Sequence, residues 1–187
     1  TLVITGGHAF EEEPFAALFA SIGDVQATHV TYPAAADQLR PDLAEAYDVI
    51  VFYDMWARGI SPQQQTAFVE LLNRGIGVVA LHHTLGAHAE WPEYQKIIGG
   101  RFHLKQREVD GKKLPKSGYD HDQDISVKVA DREHPITHGL QDFAIHDETY
   151  SNYDTHPAAR VLLTTDHPTS DRELAWVKEY GRSRVFC

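Results

Sequence analysis

The chain has 187 residues, and its apolar fraction of 42% is enough for the packed core of one domain over residues 1–187. Its 17 basic and 27 acidic residues give a formal net charge of −10, which disfavours nucleic acids and anionic membrane surfaces as partners. The single cysteine excludes an intramolecular disulfide and a cysteine-built metal site, and no apolar run reaches the length of about 20 residues that a membrane span needs. We therefore expect a cytoplasmic protein; the alternative is a leader removed before Thr1, since the chain begins without an initiator methionine.

Strands and helices are predicted to alternate through the first 85 residues or so. The first strand is an apolar run that stops at Gly6-Gly7, and Pro14 fits the first turn of the helix that follows. The clearest helix begins after Ser61, an N-cap residue whose capping box is completed by Gln64. In chain order, the predicted elements are a strand over 1–5, a helix from Pro14 to Ile22, a strand over 25–30, a short helix over 39–47, a strand over 48–53, a helix from Pro62 towards Gly75, and a strand over 76–81.

Strands that alternate with helices form parallel β-α-β units with right-handed crossovers. The expected fold class is therefore α/β, with a doubly wound and mostly parallel sheet of the flavodoxin-like kind. In that order the first and third strands are neighbours, and the fourth strand lies beside the third. The carboxyl ends of these three strands then meet at one edge, where ligands bind in such sheets.

The second half of the chain is more broken. A helix is predicted over Trp91–Ile98, and Gln106–Gln123 is polar and lacks periodicity, so we expect a surface loop there. The Pro- and Gly-containing segment His134–Leu140 is typical of a tight turn. Short strands are predicted over 125–129, 143–145, 160–164, 174–177 and 184–186. The last of these strands reaches almost to Cys187, which is an unusual place for a domain to end and fits a truncation at the C-terminus.

Polar side chains follow the three strands whose carboxyl ends are expected to meet. His8 follows the first strand, Asp54 follows the third with Trp56 just behind it, and the pair His82-His83 follows the fourth. Of the adjacent histidines, we expect His83 to point inward. An acid and two histidines from three independent strand ends predict a functional crevice.

Further polar groups occur in the second half. Arg101 and His103 follow a Gly-Gly pair, His121 lies between two aspartates, and Asp147 and Glu148 follow a histidine at the end of an apolar strand. Carboxylates beside a histidine bind metals or act as a general acid and base, although a solvated strand end has the same composition.

Aromatic side chains near these groups have flat faces that suit a sugar ring, although aromatics at such positions are more often part of the core. The candidate substrate-binding residues are Trp56, Trp91, Tyr150 and Arg101. The sequence has no GxSxG elbow, no GxGxxG after the first strand and no phosphate-binding loop with its lysine. We therefore expect neither a hydrolase triad of that kind nor a nucleotide cofactor.

These residues together resemble the ThuA-like proteins of trehalose utilisation, in the class I glutamine amidotransferase-like superfamily. The resemblance covers nearly the whole chain and depends on Thr5–His8, Tyr47–Val51, Gly75–His83, Gly99–Phe102, His134–Thr137 with Gly139-Leu140, Asp147-Glu148 with Tyr150, and Trp176 with Gly181 and Arg184-Val185. Amidotransferases carry a nucleophilic cysteine after the fourth strand, where this chain has Leu81-His82-His83-Thr84. Amidotransferase activity is therefore not expected.

The resemblance implies a role in carbohydrate catabolism, with a disaccharide or a keto-sugar as the small-molecule partner. One hypothesis is a hydrolase or lyase with a divalent metal, zinc being the ion that suits nitrogen ligands. Its ligands would come from His8, His83, His103, His121 and Glu148, with Asp54 or Asp147 as the base or as a residue that orients a histidine. A second hypothesis needs no metal and uses His83 and Glu148 as base and acid. A third is a non-catalytic sugar-binding or regulatory module, and homo-oligomers are compatible with all three.

Overall fold

The computed structural model describes residues 1–187 and has a mixed α/β architecture. Its strands are β1 Leu2–Gly6, β2 Thr28–Thr31, β3 Val49–Asp54, β4 Gly77–Ala80, β5 Gly100–Arg101, β6 Arg107–Val109, β7 Lys112–Leu114, β8 Gly118–Val129, β9 Phe143–Ser151, β10 Asp154–Thr155, β11 Arg160–Thr164, β12 Glu173–Tyr180 and β13 Ser183–Phe186. The α-helices are α1 Glu12–Ser21, α2 Pro62–Arg74 and α3 Pro92–Ile98, and 3-10 helices span Ala34–Gln38, Pro41–Glu45 and His82–Gly86. None of the helices combines the length and the apolar character that crossing a membrane requires.

The chain divides into two compact units. The first unit is Thr1–Ile97 with Glu179–Val185, and the second is Ile98–Lys178 with Phe186–Cys187. The assignment of a single domain over residues 1–187 stays a prediction.

The first unit contains the parallel strands. Their order is β2-β1-β3-β4-β13, with parallel pairing from β2 through β4, so β1 and β3 are neighbours and β4 lies beside β3 as predicted. Gly6 lies opposite Asp54, and Phe52 lies opposite Ala80. The α/β class is therefore confirmed, and the carboxyl ends of β1, β3 and β4 share one edge.

Helix α2 forms as the sequence predicts. The Ser61 hydroxyl accepts a hydrogen bond from the Gln64 amide, and the Gln64 side chain accepts one from the Ser61 amide, which completes the capping box. Phe68, Leu71 and Leu72 form its buried stripe. Other boundaries differ from prediction because packing overrides short apolar patterns: β2 covers Thr28–Thr31, and the helix expected over 39–47 is replaced by 3-10 turns before and after Arg40.

The second unit is largely antiparallel, in the order β12-β11-β8-β9. The expected loop over Gln106–Gln123 is wrong: β6 and β7 form a hairpin there, and β8 begins at Gly118. Asp110 and Gly111 have φ angles of 50° and 76°, as an Asp-Gly hairpin turn requires. The strands were missed because they are short and polar, whereas the Asp-Gly pair was a usable signal. Residues 135–139 form the predicted turn.

Candidate functional site

A sharp turn after β4 positions the two adjacent histidines. Leu81 is still extended, and His82 then takes a φ of 55° at the start of a 3-10 helix. A non-glycine residue in the left-handed region reverses the chain direction abruptly. The turn places His83 at the strand edge, where 9% of its surface remains exposed.

A second close approach joins the ends of β1 and β3. Gly7 has a φ of 81°, and a Cβ atom there would lie 2.3 Å from the Met55 carbonyl oxygen. Only glycine fits this position without moving the backbone. The result is that His8 follows directly from a fixed turn and its ring stacks on His83, with 4.3 Å between ring centroids and 28° between planes.

The two nitrogens of His83 have different surroundings. Nδ1 lies 3.2 Å from Nδ1 of His82. Nε2 is buried and has no hydrogen-bond partner, so the hydrogen bond of His83 to the Tyr53 backbone is made by Nδ1. The Tyr53 ring packs against His83 with 4.6 Å between centroids. This arrangement fixes the imidazole and leaves Nε2 as its nitrogen without a hydrogen-bond partner.

The protonation of His83 follows from this environment. Burial is the main cause that lowers its pKa to about 4, and the nearby His8 and His82 lower it further, while the hydrogen bond to the Tyr53 backbone opposes the shift. His83 is therefore neutral near neutral pH. If Nδ1 carries the proton and donates it to the Tyr53 carbonyl, Nε2 keeps a lone pair. A general base or a metal ligand needs this tautomer.

Asp54 is fully buried below this turn. The Thr84 hydroxyl lies 2.9 Å from Asp54 Oδ1 and 2.9 Å from the Asp54 carbonyl oxygen, and the Trp56 amide donates to Oδ2 over 3.2 Å. Burial raises the pKa of Asp54 to about 7, although the hydrogen bonds from Thr84 and Trp56 act in the opposite direction. The contacts tie the end of β3 to the turn after β4, so the geometry gives Asp54 a positioning role.

A buried pair that was not predicted from the sequence lies beside Asp54. The Tyr32 hydroxyl lies 3.2 Å from His88 Nε2, and the Tyr32 ring stacks on Trp56 with 5.1 Å between centroids. Burial and the charge of Asp54 raise the pKa of Tyr32, and burial lowers the pKa of His88 to about 4. Tyr32 directly follows β2, so the rule that strand ends carry the site was a signal for it.

Trp91, expected to bind substrate, packs instead among aromatic rings of the first unit. Its ring contacts Phe68, His88 and Tyr94 at centroid distances of 6.1 to 6.2 Å. Trp56 is half-buried between Tyr32 and the Arg58 guanidinium, which lies 5.6 Å from its ring centroid. These contacts describe structural roles, and sugar binding by either tryptophan stays a prediction.

The remaining predicted residues belong to the second unit. His103 Nε2 lies 2.7 Å from Asp154 Oδ2, and burial lowers the pKa of His103. His121 Nδ1 lies 2.6 Å from Glu148 Oε1, while the Tyr150 hydroxyl donates to Glu148 Oε2 over 2.8 Å.

Two further predicted residues, Asp147 and Arg101, also lie on this unit. Asp147 is exposed and accepts a hydrogen bond from the Glu148 amide. Arg101 lies on β5, opposite Asp154 of β10.

The predicted metal ligands are thus divided between the units. His8 and His83 belong to the first unit, whereas His103, His121 and Glu148 belong to the second. The structure contains no group of three or more histidine, cysteine, aspartate or glutamate side chains placed to hold a metal ion. Metal binding stays a prediction, and His8 and His83 are the two predicted ligands that belong to the first unit.

Comparisons with known proteins agree with this fold. The family model described as ThuA, trehalose utilisation, matches residues 1–187. A ThuA-like protein from Parabacteroides merdae superposes with a TM-score of 0.75 and 22% identity, over 99% of this chain and 76% of that chain. A ThuA-like protein from Bacteroides uniformis superposes with a TM-score of 0.64 and 19% identity, over 98% of this chain and 79% of that chain. A glutamine amidotransferase from Thermotoga maritima superposes with a TM-score of 0.51 and 14% identity, over 98% of this chain and 73% of that chain. No curated protein matches the chain.

Proposed function

The chain belongs to the ThuA family of trehalose utilisation, and on that premise we propose that it is a cytoplasmic enzyme of carbohydrate catabolism. The reaction would be a hydrolysis or an elimination on a disaccharide or a keto-sugar, with His83 as the catalytic base. The observation that carries the proposal is the buried Nε2 of His83, which has no hydrogen-bond partner and lies where strand ends meet. A fixed imidazole with one nitrogen that has no hydrogen-bond partner is suited to proton transfer.

The chemistry can be written for a keto-sugar. His83 Nε2 removes the proton next to the ketone, and the electron pair expels the oxygen substituent on the adjacent carbon. The departing oxygen then takes a proton from an acid, a role that we assign to His8 because its ring stacks on His83. For a disaccharide, the same nitrogen would take the proton of the attacking water. Glu148, the acid expected from sequence, lies in the second unit beside His121 and is tested separately as Glu148→Gln.

A thiol mechanism lacks its nucleophile in this turn. The cysteine of the sequence is Cys187, and the residues after β4 are Leu81, His82 and His83. Burial raises the pKa of the Cys187 thiol, which disfavours the reactive thiolate. The relation to glutamine amidotransferases is therefore one of fold.

The test is a kinetic comparison of His83→Gln with His138→Gln, an exposed histidine in the 135–139 turn. A panel of disaccharides and their keto derivatives serves as substrates. We expect His83→Gln to lower kcat/KM by a factor of about 10² to 10⁴, as the loss of a general base does, and His138→Gln to leave it unchanged. Unchanged turnover in His83→Gln would reject His83 as the base. Sugar binding without turnover in the unsubstituted protein would favour a non-catalytic binding module instead.

Elemental analysis of the same two variants separates the metal-assisted mechanism from the metal-free one. Protein is purified without added metal or chelator. Near-stoichiometric zinc that disappears in His83→Gln and persists in His138→Gln would make His83 a ligand. Full activity after prolonged chelation would favour the metal-free mechanism, in which His83 acts as a general base.

A further inference from the structure

Strand β9 forms the outer edge of the antiparallel sheet in the second unit. It is last in the strand order and pairs with β8 alone. Residues 143–147 are all exposed, and they pair in regular register with Gln123–Val127. Over 143–147 the edge has no proline, no lysine and no bulge, which are three of the features that protect edge strands from pairing with another strand.

The exposed edge is also apolar. Phe143 and Ile145 are 41% and 39% exposed, although their partners across the ladder, Val127 and Ile125, are 2% and 3% exposed. The buried face of the sheet therefore continues outward to side chains that remain partly exposed. Ile136 and Leu140, in and just after the preceding turn, are 51% and 43% exposed. Exposed apolar side chains on an edge strand favour pairing with another strand.

The same segment carries charges that complement one another. His146 Nδ1 lies 2.8 Å from Asp124 Oδ1, and this hydrogen bond is the main cause that raises the pKa of His146 and favours its positive form. Asp142, just before β9, is held through Oδ1 by the Val129 amide and the Arg132 guanidinium. Its Oδ2 remains for a further cation.

We infer that β9 pairs antiparallel with β9 of a second copy of this chain, about a two-fold axis through Ala144. In this register Phe143 lies opposite Ile145 of the second copy on one face, and Asp142 lies opposite His146 on the other. The two-fold axis repeats each pair, so the surface is complementary to itself, as an isologous dimer requires. Cross-strand pairs of these two kinds stabilise antiparallel sheets.

Neighbouring registers are less favourable. An axis through Ile145 places Phe143 opposite Asp147, which sets an aromatic ring against a carboxylate. An axis through His146 places two histidines opposite each other and Ile145 opposite Asp147, so neither pair is complementary. The register through Ala144 alone matches apolar with apolar and acid with base.

Analytical ultracentrifugation over a concentration series tests the inference on the full chain. We expect a dimer that Ile145→Lys weakens by at least about tenfold in Kd, because a charge would replace an apolar anchor at the centre of the interface. Leu18→Lys is the matched control, since Leu18 is 50% exposed on α1 and lies outside the edge. Circular dichroism melts check that both variants fold. A monomeric unsubstituted protein, or a dimer that Ile145→Lys leaves unchanged, would overturn the inference.

Disulfide trapping tests the register itself. Ala144→Cys places two thiols on the two-fold axis, within reach of each other across the strands, and mild oxidation is expected to give a covalent dimer. Ala17→Cys, an exposed position on α1, is the control and is expected to remain monomeric on denaturing gels. The native Cys187 is common to both variants. Equal crosslinking of the two variants, or none in Ala144→Cys, would rule out this register.

Discussion

At the scale of single residues, backbone space is as decisive for the candidate site as side-chain chemistry. His8 reaches the ring of His83 because Gly7 lets the chain pass the Met55 carbonyl closely. Thr84 contributes a single hydroxyl that lies within hydrogen-bond distance of both the carboxylate and the carbonyl of Asp54. Gly7 and Thr84 therefore determine where the candidate side chains of His8 and Asp54 lie.

Gly7→Ala is predicted to destabilise the protein more than Gly59→Ala. Both glycines have φ angles in the left-handed region, 81° and 70°, but a Cβ at Gly59 meets nothing within 4 Å. Gly59→Ala therefore measures backbone strain alone, about 1 kcal/mol, and Gly7→Ala adds a steric clash with backbone atoms. Urea unfolding measures both free energies of unfolding. Equal losses in the two variants would contradict the close approach.

At the scale of elements, local signals and long-range contacts contribute differently. Helix α2 carries its own start signal, and its position agrees with the sequence. Helix α1 buries none of its residues, although Phe15 and Phe19 lie on it and Phe15 stacks on Tyr53 with 4.5 Å between centroids. The β6–β7 hairpin has the opposite character to α2, because its short polar strands depend on the Asp-Gly turn between them.

Ser61→Ala is predicted to lower the free energy of unfolding by about 1 kcal/mol, because the N-cap acceptor for the Gln64 amide is lost. The change leaves Gln64 and the buried stripe of α2 in place. Ser21→Ala, at the exposed last residue of α1, is the control. Chemical unfolding monitored by circular dichroism gives both values, and an unchanged midpoint in Ser61→Ala would show that the capping box contributes nothing.

At the scale of the whole molecule, buried titratable groups of the first unit connect its stability to pH. His83 and His88 both have a pKa of about 4, while burial raises the pKa of Asp54 to about 7. The histidines favour unfolding as the pH falls below their ordinary pKa of about 6.5, because the unfolded chain then binds protons that the folded chain does not. Asp54 has the opposite effect. Between its ordinary pKa and about 7 the folded form keeps a proton that the unfolded chain has lost, so a falling pH favours the folded form.

His88→Gln is predicted to make stability less dependent on pH between about 6.5 and 4. Above pH 6.5 His88 has no effect on the free energy of unfolding. As the pH falls from about 6.5 to about 4, His88 lowers this free energy by about 1.4 kcal/mol per pH unit, and below about 4 its effect is constant. Glutamine does not titrate, and its carbonyl can still accept the Tyr32 hydroxyl. Urea unfolding at a series of pH values gives the two slopes, with His138→Gln as the exposed control. Identical slopes for His88→Gln and the unsubstituted protein would contradict a neutral buried His88.

The sequence by itself determined the parallel order of β1 to β4, the cap of α2 and the location of His8, Asp54 and His83 at strand ends. These features follow from apolar periodicity, capping residues and topology rules, which act over short stretches of chain. Only the tertiary structure decided that His83 is neutral, that its Nε2 has no hydrogen-bond partner, and that Tyr32 and His88 form a buried pair. It also divided the predicted metal ligands between two units. Burial and partner distance depend on residues far apart in the chain, and no local pattern encodes them.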